Sequence, residues 1–292
     1  MAEVAKLGDM NVSQSRLNPS RTSYLDLLNE PYALPEGATE AFARDGYIKL
    51  KHVLDADTIN QFGQAITKAT IRLSTEDRPL ADRGTYDRAF LQVMNLWRDD
   101  MAARQFVFGK RLARIAADLM QVDRVRLYHD QSLYKEADGG LTPAHADQFY
   151  WPLSSERIVT AWVPLQAVPE NMGPLGFYKG SHKEDFGRNL EISDESEKRI
   201  TEAMECHGFE FDVGVFDIGD VSFHSGWTFH KAGPNMSDAP RSVMTMIYMD
   251  ADIRVIEPVN TPQENDLVSW LPGLKPGDIA ASPINPILFA RS

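Results

Sequence analysis

Two periods run along this chain. Over roughly the first 120 residues, apolar positions recur at helical spacing; beyond them they alternate. Glu36 to Arg44 reads as a helix, Gly46 ends it, and Tyr47-Ile-Lys-Leu-Lys alternates like a strand. Ile59, Phe62, Ile66 and Ile71 mark a helix over 56–74. Met101 to Met120 reads as a second long helix, with Phe106, Leu112, Ile115, Ala116 and Leu119 on one stripe.

After Gln121 the texture changes. Val122 to Lys135, Arg157 to Val168, Phe209 to Phe216 and Ser242 to Tyr248 all alternate. Turn formers separate these runs: Asp138-Gly-Gly, Glu170-Asn-Met-Gly-Pro, Lys179-Gly-Ser and Ala232-Gly-Pro-Asn. Short strands between such turns predict a sandwich, a jelly roll or a barrel. Glu191 to Glu205 reads as a helical insertion. The resulting division is a polar arm over 1–34 and one domain over 35–292. Within it we expect helical support at 36–120, a β core at about 121–255 and a Pro-rich tail over 256–292. The tail segment Leu271 to Pro286 is expected to wrap the surface without regular structure. No internal repeat or low-complexity tract is visible.

Composition narrows the partners. Of 292 residues, 43% are hydrophobic and 25% charged, enough apolar material for a full core. The net charge is -12 and the pI about 5.0, so phosphate backbones and anionic lipid are repelled. Nucleic acid and membrane partners are therefore not expected, while a small anion can still find a local basic pocket. Cys206 is the only cysteine, which excludes an internal disulfide, a cysteine zinc site and an iron–sulfur cluster. The first residues lack a basic start and apolar run, and no stretch approaches the roughly 18 apolar residues of a membrane span. A cytoplasmic location is expected.

Candidate chemistry begins at His145-Ala-Asp147. On a strand, residues i and i+2 share a face, so this imidazole and carboxylate can grip one metal. A second histidine would complete a set that leaves three positions open, two for a chelating keto acid and one for O₂. The motif alone is weak. With 7 His and 42 acidic residues in 292 positions, about one His-x-acid pair is expected by chance. There are two, the other being His182-Lys-Glu184 in a turn.

Val221-Ser-Phe-His-Ser-Gly-Trp-Thr-Phe-His230 strengthens it, with Arg241 eleven residues further on. Gly233 to Pro240 is dense in turn formers. Folded as a hairpin about Asn235-Met236, it makes His230 and Arg241 cross-strand neighbours. Arginine suits a two-pronged grip on a carboxylate. A metal at one end and Arg241 at the other would match a dicarboxylic keto acid.

These motifs in order resemble the phytanoyl-CoA dioxygenase family of Fe(II)/2-oxoglutarate oxygenases, in its bacterial and fungal small-molecule branch. The matching text is Asp130-Gln-Ser-Leu-Tyr-Lys-Glu and Thr142-Pro-Ala-His-Ala-Asp-Gln-Phe-Tyr-Trp-Pro-Leu153. It continues through Thr160-Ala-Trp-Val-Pro-Leu165, Glu170-Asn-Met-Gly, Lys179-Gly-Ser-His182 and Gly219-Asp-Val-Ser-Phe-His to His230, Asn235-Met-Ser and Arg241. The resemblance covers roughly residues 40 to 250.

It implies a double-stranded β-helix, a cupin-like jelly-roll core with flanking helices. It implies His145, Asp147 and His230 as iron ligands and Arg241 as the partner of the far 2-oxoglutarate carboxylate. Trp162, Gln131 and Gln92 fall at positions near the cosubstrate. The cofactors implied are Fe(II), 2-oxoglutarate and O₂, with ascorbate as a stimulant. The reaction implied is C–H oxidation of a small metabolite with release of succinate and CO₂. Related halogenases replace the carboxylate with a small residue; Asp147 keeps it, which favours hydroxylation. The chain departs from some relatives at Ala232, where they carry a hydroxyl, and at Lys179-Gly-Ser-His-Lys, a partly altered turn.

Bland readings compete elsewhere. Tyr150, Trp151, Trp227 and Phe229 flank the ligand motifs as pocket wall or as core. His224 matches a family histidine that is not a ligand. His52, His129, His182 and His207 read as surface or structural. The residues alone leave open a zinc hydrolase and a catalytically silent jelly-roll binding protein, and they name neither substrate nor oligomeric state.

Overall fold

A computed structural model describes residues 24–291. Most of the polar arm, 1–23, lies outside the described residues. The helices are α1 (Tyr24–Leu27), α2 (Ala38–Asp45), α3 (Ala56–Leu73), α4 (Thr85–Ala89), α5 (Met101–Val107), α6 (Lys110–Met120), α7 (Asp194–Cys206) and α8 (Thr261–Trp270). The strands are β1 (Tyr47–Leu50), β2 (Leu91–Met94), β3 (Arg124–Lys135), β4 (Thr142–His145), β5 (Ile158–Pro164) and β6 (Leu175–Tyr178). They continue with β7 (Phe211–Val213), β8 (Val221–Ser225), β9 (His230–Ala232), β10 (Arg241–Asp250) and β11 (Ile287–Ala290).

All strand pairings are antiparallel, in two sheets. The larger runs β1-β8-β5-β10-β3-β11, with β2 also on β3; the smaller runs β4-β9-β6-β7. The outer edge of β3 is shared. β11 pairs with its start at residues 124–126 and β2 with its end at 131–134. This is a jelly-roll core with helices outside it.

Alternation explains the layering. On β5, Val159, Ala161 and Val163 join the core beneath the helices, as do Val221 and Phe223 of β8 and Met244, Met246 and Tyr248 of β10. Ile59, Phe62 and Ile66 of α3 and Leu112, Ile115 and Ala116 of α6 pack on that face. Each Val, Leu, Ile, Phe or Met side chain among them stabilises by about 1.5–3 kcal/mol when fully buried. The alternate residues Thr160, Trp162, His224 and Thr245 turn to the other face and line a cavity. Because both faces of β5 are covered, all its residues are buried.

Several expectations need correcting. Ile71 is 53% exposed and does not belong to the α3 stripe. The helix expected over Met101 to Met120 is two helices, broken at Phe108 and Gly109. The Gly109 backbone lies against Leu28, where an added Cβ would come within 3.0–3.1 Å of Leu28 atoms. Besides the strand expected at Tyr47, which is β1, the helical-support segment also supplies β2 to the large sheet. Phe209 to Phe216 forms only the three-residue strand β7.

The segment Leu271 to Pro286 has no helix or strand, as expected, only an isolated bridge from Ile279 to Arg254; within the wider tail, α8 precedes it and β11, paired with β3, follows it. Residues 230 and 241 are not hairpin neighbours. His230 pairs with His145 and Phe177 in the small sheet, whereas Arg241 pairs with Lys135 in the large one. The intervening segment crosses between sheets. Lys135 Nζ donates to Gly233 O at 3.0 Å, and Asn235 Nδ2 donates to Glu136 O at 3.0 Å and Ala239 O at 2.8 Å.

Candidate metal and cosubstrate site

The metal motif sits where a strand stops. His145 ends β4, Ala146 stays extended at φ -125 and ψ 130, and Asp147 opens a 3₁₀ turn over Asp147–Tyr150. So the His145 and Asp147 side chains share a face although only the first is on the strand. His230 opens β9 opposite His145, and their ring centroids are 4.2 Å apart.

Backbone carbonyls orient both rings. His145 Nδ1 lies 2.7 Å from Pro143 O, and His230 Nδ1 lies 2.9 Å from Thr228 O. A carbonyl only accepts, so each Nδ1 carries the proton and each Nε2 keeps a free lone pair. These Nε2 atoms lie 3.6 and 3.7 Å from Asp147 Oδ1. Those separations are too long for hydrogen bonds. The three atoms lie within 4.8 Å of one another, a two-nitrogen, one-oxygen donor set that could hold a metal ion.

Asp147 is held from behind. Thr160 Oγ1 donates to its Oδ2 at 2.8 Å, and His224 Nε2 lies 3.1 Å from the same oxygen. Burial pushes this carboxyl up, and the facing imidazoles of His230, His145 and His224 hold it well below the usual carboxylate range. Burial, then His145 and His224, keeps His230 well below its ordinary value, in the neutral form a metal needs.

Arg241 faces the same cavity from the opposite sheet. It is 2% exposed, and its guanidinium carbon lies 5.4 Å from the centre of the Trp162 ring. One nitrogen donates to Gly173 O, while the buried Nε has no partner. Burial lowers it to about 10, which still leaves it charged at neutral pH. No carboxylate among the described residues forms an ion pair with it. An unpaired buried guanidinium is costly, so this one asks for an anion.

Gln92 and Gln131 reach the cavity together. Gln92 Nε2 donates to Gln131 Oε1 at 2.7 Å, and Tyr86 OH donates to Gln92 Oε1 at 3.1 Å. Tyr150, Trp151, Trp162 and Ala232 also line the space, which measures about 300 Å³. Two aromatic candidates do not. Trp227 borders a separate surface cleft under the Arg188 guanidinium, 4.6 Å from its ring. Phe229 is fully buried in a core cluster with Ala144, Tyr178 and Ile200. His182 and His207 lie away from the cavity.

The sequence reading missed His129, Thr160, Asp266 and Trp270, all on the cavity wall. His129 reads as structural, yet it is buried with Nδ1 unpartnered. Its signal was its place two residues before Gln131 on β3, hence on the same face.

Comparison with known proteins adds to this geometry. A model of the phytanoyl-CoA dioxygenase family matches residues 42–243. A probable alpha-ketoglutarate-dependent hypophosphite dioxygenase from Stutzerimonas stutzeri is 26% identical over 136 residues, 44% of this chain and 47% of that protein. The match thus spans about half of that relative's length. The non-heme alpha ketoglutarate dependent carbocyclase SnoK from nogalamycin biosynthesis superposes with a TM-score of 0.72, at 24% identity over 89% of this chain and 99% of that one. The epimerase SnoN, in complex with Fe³⁺, alpha ketoglutarate and nogalamycin RO, gives a TM-score of 0.66, at 26% identity over 86% of this chain and 96% of its own.

Proposed function

This chain belongs to the phytanoyl-CoA dioxygenase family, and from that premise we propose that it is an iron(II)- and 2-oxoglutarate-dependent dioxygenase acting on a small molecule. His145, Asp147 and His230 hold the iron, and Arg241 binds the far carboxylate of 2-oxoglutarate. The observation that carries this reading is Arg241: a buried, charged guanidinium with a free Nε, facing a two-His, one-Asp donor set across one cavity. A zinc hydrolase has no use for that guanidinium.

Bound iron supplies the reaction of O₂ with the keto acid, which yields succinate, CO₂ and the oxidant for a substrate C–H bond. The protein's residues do the positioning. The carbonyls of Pro143 and Thr228 fix which nitrogen each histidine presents. Thr160 and His224 hold one carboxylate oxygen of Asp147 so that the other faces the histidines. Arg241 and Trp162 orient the keto acid, with the Gln92–Gln131 pair on the neighbouring wall. The aromatic wall at Tyr150 and Trp151 excludes water and receives the substrate. Asp147 favours hydroxylation over halogenation, because its carboxylate occupies the position a halide would need. We place the enzyme in the cytoplasm; no described helix is long and apolar enough to cross a membrane.

The test is succinate formation from 2-oxoglutarate, assayed with Fe(II), ascorbate and O₂ and a panel of small metabolites. Production should require iron and O₂, rise with the true substrate and vanish in His230→Ala. Equal succinate from wild type and His230→Ala would sink the reading.

A further inference from the structure

The half of the cavity remote from Arg241 contains chemistry that iron and 2-oxoglutarate do not use. Helix α8 closes over it, beyond the residues that match the family model. Its Asn260 caps the helix by accepting from Gln263 N at 2.8 Å. Gln263 Nε2 then donates to Phe149 O at 3.2 Å, within the turn that Asp147 opens. The helix is thereby tied to the segment that carries a metal ligand.

Asp266 and Trp270 are four residues apart, on one face of α8, and both line the cavity. Asp266 accepts from Tyr128 OH at 2.9 Å and from the Trp270 side chain. Both donors are neutral, and no cation among the described residues forms an ion pair with this carboxyl. Burial raises it to about 7, the mark of a carboxylate whose charge lacks a counterpart. The nearby His129 brings none: its ring packs on Trp270 with centroids 5.3 Å apart, and burial drops it to about 3, so it stays neutral.

Charge balance names the missing group. Among the described residues, the only charged ones on the cavity wall are Asp147, Arg241 and Asp266. With iron and 2-oxoglutarate bound and Asp266 ionised, two positive charges on iron and one on Arg241 face two negative charges on 2-oxoglutarate and one each on Asp147 and Asp266. One negative charge is left over, at the end away from the keto acid. The walls there are aromatic, from Tyr86, Tyr150, Trp151 and Trp270, and the faces of aromatic rings attract cations and repel anions. We propose that Asp266 and Trp270 form the recognition site for a positively charged nitrogen on the prime substrate, an amine or alkylammonium group. The proposal rests on the oxygenase reading for its use in turnover, but the subsite itself needs neither iron nor 2-oxoglutarate.

Calorimetric titration of the purified metal-free protein at pH 8 tests it, with benzylammonium, benzyl alcohol and benzoate as probes of one shape and three charges. Benzylammonium should bind wild type about tenfold or more tighter than benzyl alcohol, and benzoate should bind weakest, as an ion pair and a cation–π contact require. Asp266→Asn keeps a group that can accept from Tyr128 and Trp270. It should bring benzylammonium to within about twofold of benzyl alcohol while leaving the alcohol unchanged. Equal binding of cation and alcohol to wild type would overturn the proposal, and so would a preference that survives in Asp266→Asn. The wild-type comparison decides even if the variant does not fold. Loss of the preference in a protein that still makes succinate removes the subsite alone. Its retention in a protein that makes none removes the oxygenase reading alone.

Discussion

The two ends of the cavity are built by different means. At the metal end, His145, His230 and Arg241 sit at strand termini whose register the sheets set. Their hydrogen-bond partners are the backbone carbonyls of Pro143, Thr228 and Gly173, which orient each side chain. At the far end, Asp266 and Trp270 ride on a helix that contributes only Gln263 to the fully buried interior, and Tyr150 and Ile192 belong to connecting segments. Strand register holds chemistry that must not move. Helices and loops attached to it can differ without disturbing the sheet, and that is where a substrate pocket can vary.

That contrast can be broken experimentally. The largest effect should come from the ligands. His145→Ala, Asp147→Ala and His230→Ala should each abolish turnover and iron binding, while Trp270→Ala keeps iron affinity within about twofold of wild type. Metal titration of the four variants checks this, and weak iron binding by Trp270→Ala would erase the division between the ends.

Next comes Arg241. A buried carboxylate that loses its partner costs about 3–5 kcal/mol, roughly two to four orders of magnitude in affinity. Arg241→Ala should raise the 2-oxoglutarate requirement by that factor and leave iron affinity unchanged. Arg241→Lys should recover only part, because an ammonium cannot make the two-pronged contact.

Thr160→Val should have a smaller effect. It removes the donor to Asp147 Oδ2 without changing the shape of β5. Iron affinity should fall by about 10–100-fold, as for other groups that orient metal ligands. Asp130→Ala should act on stability alone. Asp130 points away from the cavity and accepts from Leu96 N at 2.9 Å, fixing the turn after β2. Leaving that buried donor unpaired should cost about 1–3 kcal/mol, seen as a lower melting temperature with unchanged iron affinity.

What could be read from the chain follows the same division. His145, Asp147, His230 and Arg241 were legible because a metal set and a guanidinium have few other reasons to occur in that order. Alternation marked β3, β5 and β10, whose apolar faces pack under the helices. The route from His230 to Arg241 was not legible. Turn formers suggest a hairpin, but Lys135 and Asn235 hold a crossover between sheets, through partners about a hundred residues away. Helix α8 was hidden for another reason: it opens on Thr261-Pro262 and no apolar stripe runs along it, so its hydrophobic pattern does not separate it from a loop. Of the open cases beside the ligands, Phe229 precedes His230 and turns into the core, while Trp227 lies in the turn before β9 and reaches a separate surface cleft.

The central claim is that iron at the histidine pair and a carboxylate at Arg241 are bridged by one keto acid. The most direct test is anaerobic titration of the Fe(II)-loaded protein with 2-oxoglutarate and with the monocarboxylate 2-oxobutyrate, followed by the visible absorption of the chelated keto acid. Wild type should develop the band at far lower 2-oxoglutarate than 2-oxobutyrate. Arg241→Ala should need much more 2-oxoglutarate and lose most of that discrimination. A wild-type protein that binds both acids equally, or an Arg241→Ala variant that still prefers 2-oxoglutarate by the same factor, would contradict the account.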